Sequence, residues 1–190
     1  MIETVKIQAK AVLRGLGVYN FVIRHGLNNR FIVALLGLAS RIRWTSIDLI
    51  VIVWPPAIPL IDDIRREIEK THEVLDLEVV DILPGEFHRF IHELYAIDYA
   101  DPRKIDLKME RLSCPPHRLG VMTVRIKRPT MAVQDALNRV RCATVGDLKD
   151  GIRRKFRAAI PDYVYDIIVH STEADYQNAV VRNLLRKYRA

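Results

Sequence analysis

The chain has 190 residues, of which 49% are hydrophobic and 28% are charged, as in an ordinary globular protein. This length allows one domain with a substantial core and further segments outside it. The two cysteines, Cys114 and Cys142, lack C-x-x-C spacing, which disfavours a metal or redox motif. The apolar runs fall far short of the ~20 residues that span a bilayer, and no secretory signal is evident, so we expect a cytoplasmic protein.

The net charge of +7 is concentrated at the two ends of the chain. Residues 1–44 hold seven Lys or Arg and one acid, and the residues after Asp175 hold four Lys or Arg and no acid. The stretch 45–175 therefore carries −3. Basic ends of this kind favour an anionic partner, whereas the body of the chain is free for another role.

Residues 1–44 are predicted to form two helices joined by a turn at 26–29. The apolar residues of the first recur every three or four positions: Val12, Leu13, Leu16, Tyr19, Val22 and Ile23. One interpretation is a helical hairpin packed on the domain that follows. Another is a basic element that lies on an anionic membrane surface or on nucleic acid. Binding to a membrane surface would make this a peripheral membrane protein. A third is an Arg-rich organellar presequence.

The body of the chain begins with a strand, a helix and a second strand. Ile47–Val53 is a continuous β-branched run, typical of a strand buried on both faces, and Trp54-Pro55-Pro56 ends it. Residues 58–73 have an amphipathic helical pattern, and residues 74–83 alternate like a strand.

The remaining elements are assigned by the same periodicities. Helices are predicted from residue 84, with Phe87, Phe90, Ile91 and Leu94 buried, and from Asp101-Pro102, with Ile105, Met109 and Leu112 buried. Then follow a strand at 120–126, helices at 133–140 and 145–156, a strand at 163–169, and a closing helix at 173–188. This order predicts an α/β (α+β) fold with a ferredoxin-like four-stranded sheet over 45–190, preceded by the 1–44 helical extension.

The segment Ile167-Ile168-Val169-His170-Ser171-Thr172-Glu173 brings an apolar strand to a histidine, which a small, a hydroxyl and an acidic residue follow. Through this segment and the order of its predicted helices and strands, the chain resembles nucleoside diphosphate kinases. Arg139 and Arg153 stand where that family keeps two phosphate-binding arginines, and Thr144 stands where it keeps a phosphate-binding threonine.

The resemblance implies a nucleotide-dependent phosphotransferase that uses ATP or another nucleoside triphosphate with Mg²⁺. His170 would be the phosphate acceptor or an acid/base residue, and Tyr95 or Tyr99 would stack on a base. The chain has Trp54-Pro55-Pro56 where the family has lysine-proline-aspartate, and Ile167 where it has asparagine. These departures imply an altered substrate or lost activity.

The residues themselves support two interpretations of His170. In the first, Thr172 or Glu173 orients one ring nitrogen while the other attacks phosphorus or moves a proton. In the second, Ser171 or Thr172 caps the closing helix and His170 is a satisfied edge residue.

Other polar clusters are less specific. Positive charge is concentrated near the same predicted sheet edge, where phosphoryl transfer would need it; its residues are Arg139, Arg141, Arg153, Arg154 and Lys155, of which we expect the last two to be at the surface. His88 and His92 have the i, i+4 spacing of a metal pair, but an obvious third ligand is missing, so no metal site is predicted. The absence of a G-x-x-x-x-G-K motif disfavours a P-loop kinase.

Two alternatives to the phosphotransferase hypothesis follow from the same sequence. One is a non-catalytic binding module whose basic terminal helices dock to nucleic acid or an anionic membrane. The other is a subunit of a larger assembly or homo-oligomer, with the apolar face of 31–38 at its interface.

Overall fold

The computed structural model describes residues 46–97, 102–112, 115–134, 139–164 and 166–190. The chain divides into two compact units, one comprising 1–45 and 128–144 and the other 46–127 and 145–190. The predictions for the N-terminal helices and for the apolar face of 31–38 lie outside the described residues.

The elements are as follows in chain order. The strands are β1 (Ser46–Val53), β2 (Glu73–Asp81), β3 (Arg118–Lys127), β4 (Met131–Gln134), β5 (Arg139–Cys142) and β6 (Val169–Ser171). The helices are α1 (Ile61–Glu69), α2 (Phe87–Ala96), α3 (Pro102–Leu112), α4 (Ala143–Phe156) and α5 (Asp175–Tyr188). Short 3-10 turns occupy Pro55–Leu60, Pro84–Glu86 and Arg157–Ala159.

The larger unit is built on a four-stranded sheet with the order β2-β3-β1-β6. Each neighbouring pair is antiparallel. This is the ferredoxin-like arrangement that the sequence predicts, so the α+β fold is confirmed. Strand β1 lies inside the sheet, and helices cover both faces of the sheet, which explains the unbroken burial of Leu49–Val53.

Helices cover both faces of the sheet. Gly120 and Thr123 lie three positions apart in β3 and therefore face opposite sides. The side chain of Ile61, at the start of α1, packs against Gly120, whereas Arg182 of α5 donates a hydrogen bond to the Thr123 hydroxyl over 3.0 Å. Of the helices in the described part of the chain, none is long and apolar enough to cross a membrane.

The predicted core of α3 is confirmed, because Ile105, Met109 and Leu112 are all buried. The helix predicted over 133–140 is wrong. Val133 and Val140 instead pair across the β4–β5 hairpin. Val133, Ala136, Leu137 and Val140 have helical spacing, but Val133 also fits a two-residue period with Met131, as Val140 does with Cys142. Strand pairing decided between the two periods.

The last strand was predicted too early in the chain. Strand β6 covers Val169–Ser171, so His170 lies in the middle of the strand and not at its end. The backbone before it is not extended, since Asp162 has φ 49° and Asp166 has φ 59°. Left-handed residues of this kind interrupt a strand. The apolar residues between them contributed to the run that predicted a strand over 163–169.

Candidate functional site

The site is centred on His170, which pairs with Ile52 on the edge strand of the sheet. Only 7% of His170 is exposed. Its ring contacts two aromatic side chains: the ring centroid of Tyr95 is 5.1 Å away at an interplanar angle of 65°, and that of Trp54 is 6.2 Å away. The histidine is therefore enclosed by aromatic rings on the face that carries α2 and α5.

Local structure positions both aromatic residues. Trp54 directly follows β1, and its backbone N–H donates to the Ile168 carbonyl over 3.0 Å. Tyr95 lies in the last turn of α2, stacks on Trp54 at 6.1 Å, and accepts a 3.1 Å hydrogen bond from Lys108 of α3. The Trp54 indole Nε1 is buried and has no hydrogen-bond partner within the described ranges.

The pKa of His170 is held well below its ordinary value, first by burial and then by the positive charges of Lys149, Lys108 and Arg153. The imidazole is therefore neutral near pH 7 and keeps a nitrogen lone pair. A neutral ring flanked by cations can act as a nucleophile toward an anionic electrophile such as a phosphate group.

The three cations come from two helices. Lys149 of α4 forms a 2.9 Å ion pair with Glu173, and both side chains are largely buried. Arg153, one turn later, donates through Nη2 to the carbonyl of Val169 over 3.1 Å, and its Nη1 lies 3.4 Å from Asp166. Arg153 is thus fixed to the residue that immediately precedes His170.

The hydroxyl of Thr172 is bonded to residues other than the histidine. Its hydroxyl accepts the Ile50 N–H at 2.8 Å and donates to Asn178 at 2.7 Å, so it joins β1 to α5. The start of α5 is capped by Gln177, whose side-chain oxygen accepts the N–H of Glu173. The predicted hydroxyl cap is therefore wrong.

Two of the predicted phosphate-binding residues belong to the smaller unit. Arg139 begins β5, where its backbone pairs with Gln134. The hydroxyl of Thr144 accepts the Thr130 N–H at 2.8 Å within the same unit. Their roles toward a nucleotide remain predictions, whereas His170, Arg153, Tyr95 and Glu173 belong to one cluster in the larger unit.

Sequence reasoning missed Trp54, Lys108 and Lys149. A signal for Lys149 existed, because Lys149 and Arg153 are spaced i, i+4 and must share a face of α4. For Lys108 there was none, since its position depends on how α3 packs on α2. As predicted, Arg154 and Lys155 are at the surface.

The His88–His92 pair forms as its spacing indicated, with ring centroids 4.6 Å apart. Asp106 lies 3.8 Å from His92. Across the described ranges, however, no group of three or more His, Cys, Asp or Glu side chains is arranged to hold a metal ion.

Comparison of the chain with protein-family models found no match, and comparison with curated proteins found none either. The resemblance to nucleoside diphosphate kinases therefore stays a hypothesis, based on the order of elements and on the residues around His170.

Proposed function

We propose that the protein is a nucleotide-dependent phosphotransferase in which His170 carries the phosphoryl group. The observation that supports this most directly is the placement of cations around a buried histidine: Lys108 is bonded to Tyr95, whose ring contacts His170, and Arg153 is bonded to the carbonyl of Val169. Burial and these charges also lower the pKa of His170 and so favour its neutral form. Neutralising the charge of a transferring phosphoryl group is the main task of a phosphotransferase site, and fixed cations perform it.

In the proposed reaction, an unprotonated nitrogen of His170 attacks the γ-phosphorus of a nucleoside triphosphate. The N–P bond forms, the P–O bond to the β-phosphate breaks, and the nucleoside diphosphate leaves. An acceptor oxygen then attacks the same phosphorus and releases neutral His170. Mg²⁺ bound to the nucleotide's phosphates would offset part of their negative charge.

The aromatic wall controls access to the histidine. Because 7% of His170 is exposed, a phosphate reaches the ring only when neighbouring side chains move, and Tyr95 and Trp54 are two that contact the ring. The stacking of Tyr95 on Trp54 means that the base-binding role implied for Tyr95 also needs this movement.

The proposal is tested by measuring transfer of labelled γ-phosphate from ATP to a second nucleoside diphosphate. We expect the wild-type chain to catalyse transfer and His170→Ala to abolish it. His72→Ala is the matched control, because His72 is also buried and also has a lowered pKa. It lies beside Lys127, the last residue of β3, whereas Ile52, which pairs with His170, pairs on its other side with Val121 near the start of β3. Transfer that is absent from the wild type, or equal in His170→Ala, would overturn the proposal.

The cations are tested separately. Lys149→Met should lower the transfer rate per folded molecule at least about tenfold, because it removes one of the charges near His170. Urea unfolding gives the folded fraction, since the variant leaves the Glu173 carboxylate unpaired. Lys155→Met, on the same helix but exposed and paired with Glu67, should leave the rate unchanged. A loss of similar size in both variants would show that general charge, and not the site, governs the rate.

A further inference from the structure

A cavity of about 290 Å³ lies at the end of the sheet where β1 stops and β6 begins. Five prolines form most of its wall: Pro55 and Pro56 follow β1, Pro115 and Pro116 precede β3, and Pro161 follows α4. The cavity belongs entirely to the larger unit. No part of the reaction proposed above uses it.

The proline wall favours a flat apolar ligand. Proline has no backbone N–H and no rotamer freedom to lose, so this wall is rigid and offers few hydrogen-bond donors. Ile167, almost fully buried, adds a further apolar surface. A cavity of about 150 Å³ holds benzene. We therefore expect a volume of about 290 Å³ to hold two fused rings.

Among the described residues that line the cavity, Arg111 is the single charged one. Its Nη1 lies 3.4 Å from Asp162, and 46% of the Arg111 side chain is exposed. An exposed ion pair of this length contributes little, and a guanidinium has five N–H donors in a planar fork that suits phosphate or carboxylate groups. A ligand anion can therefore bind Arg111 at little cost.

From the apolar wall and this one cation, we infer that the cavity binds an aromatic ring that carries an anionic group. Polyhydroxylated ligands such as sugars are disfavoured, because proline and isoleucine side chains cannot satisfy their hydroxyl groups. The inference is independent of phosphoryl transfer, since it requires no chemistry at His170.

The test is calorimetric titration of the full chain with 1-naphthyl phosphate, and with 1-naphthol and inorganic phosphate as separate arms. We expect naphthyl phosphate to bind at least about tenfold more tightly than either fragment, since only it uses both the wall and Arg111. Equal affinity for inorganic phosphate, or no binding at about 1 mM ligand, would overturn the inference.

Variants locate the site. Arg111→Gln should weaken binding about tenfold or more. Arg118→Gln is the matched control, because Arg118 is an equally exposed arginine that pairs with Asp81 over 2.8 Å and does not line the cavity. His170→Ala should bind naphthyl phosphate like the wild type. Undiminished binding by Arg111→Gln, or loss in His170→Ala, would place the ligand elsewhere and overturn the inference.

Discussion

Single residues of the larger unit show how burial changes the chemistry of a histidine. His170 and His72 are both buried and both have a lowered pKa. His72 has one cation beside it, Lys127, whereas three surround His170. Burial lowers the pKa of both histidines, and the three cations distinguish His170 as the candidate nucleophile.

The lowered pKa of His170 predicts that acid weakens the fold. The unfolded chain binds a proton near pH 6.5, but the folded chain resists it, so stability is complete above that pH and falls below it. One such group contributes a slope of up to about 1.4 kcal/mol per pH unit. Urea unfolding of wild type and His170→Gln between about pH 7 and about pH 5 measures this; the variant should have the shallower slope, and identical slopes would contradict the prediction.

Thr172 is expected to be a structural residue. Thr172→Val would leave the buried N–H of Ile50 without its hydroxyl acceptor, at a cost of about 1–3 kcal/mol in the free energy of unfolding. Thr123→Val, which removes a hydroxyl that meets exposed Arg182, should cost less than about 0.5 kcal/mol. Chemical denaturation measures both values. Equal losses in the free energy of unfolding would contradict a larger contribution from the buried hydrogen bonds of Thr172.

At the scale of elements, two glycines differ in the space around them: Gly120 lies in a packed strand and Gly146 in a helix with open space beside it. A Cβ at Gly120 in β3 would press on Ile61 and lie 3.2 Å from Cβ of Val53, whereas one at Gly146 in α4 would meet no atom within 4 Å. We predict that Gly120→Ala lowers the free energy of unfolding by about 1–3 kcal/mol. Gly146→Ala should raise it by about 0.5–1 kcal/mol. Urea titrations give both values, and the same sign for the two would contradict this account.

Elements with an unambiguous pattern were predicted well from the sequence. Strand β1 is a continuous apolar run, and the buried stripe of α3 satisfies only a helical period. The β4–β5 hairpin was missed, because Val133 and Val140 take part both in a helical spacing and in the two-residue alternation of the strands. Strand β6 was displaced because left-handed residues such as Asp166 are decided by tertiary packing and leave no periodic signal.

At the scale of the whole molecule, the positive charge at the C-terminal end is less available than the sequence suggests. Lys187 forms an ion pair with Glu93 at 2.8 Å, and Arg189 forms one with Glu78 at 3.2 Å. Both carboxylates lie far earlier in the chain, so counting charges along the sequence cannot find these pairs. A polyanion at this surface would have to compete with them.

Only part of the candidate site could be predicted from the sequence, because some of its residues lie far apart in the chain. Residues close together in the chain, such as His170 and Glu173, could be found from a local motif. The contacts of Tyr95 and Lys108 with this cluster join α2, α3 and β6, and only the folded chain brings these elements together.

The central claim is that His170 carries a phosphoryl group, and the most direct measurement is to find that group. The full chain is incubated with γ-labelled ATP, digested under alkaline conditions, and the label is mapped to a peptide. We predict acid-labile label on His170 that is lost when a nucleoside diphosphate is added as acceptor. An unlabelled wild-type chain, or equal labelling of His170→Ala, would contradict the claim.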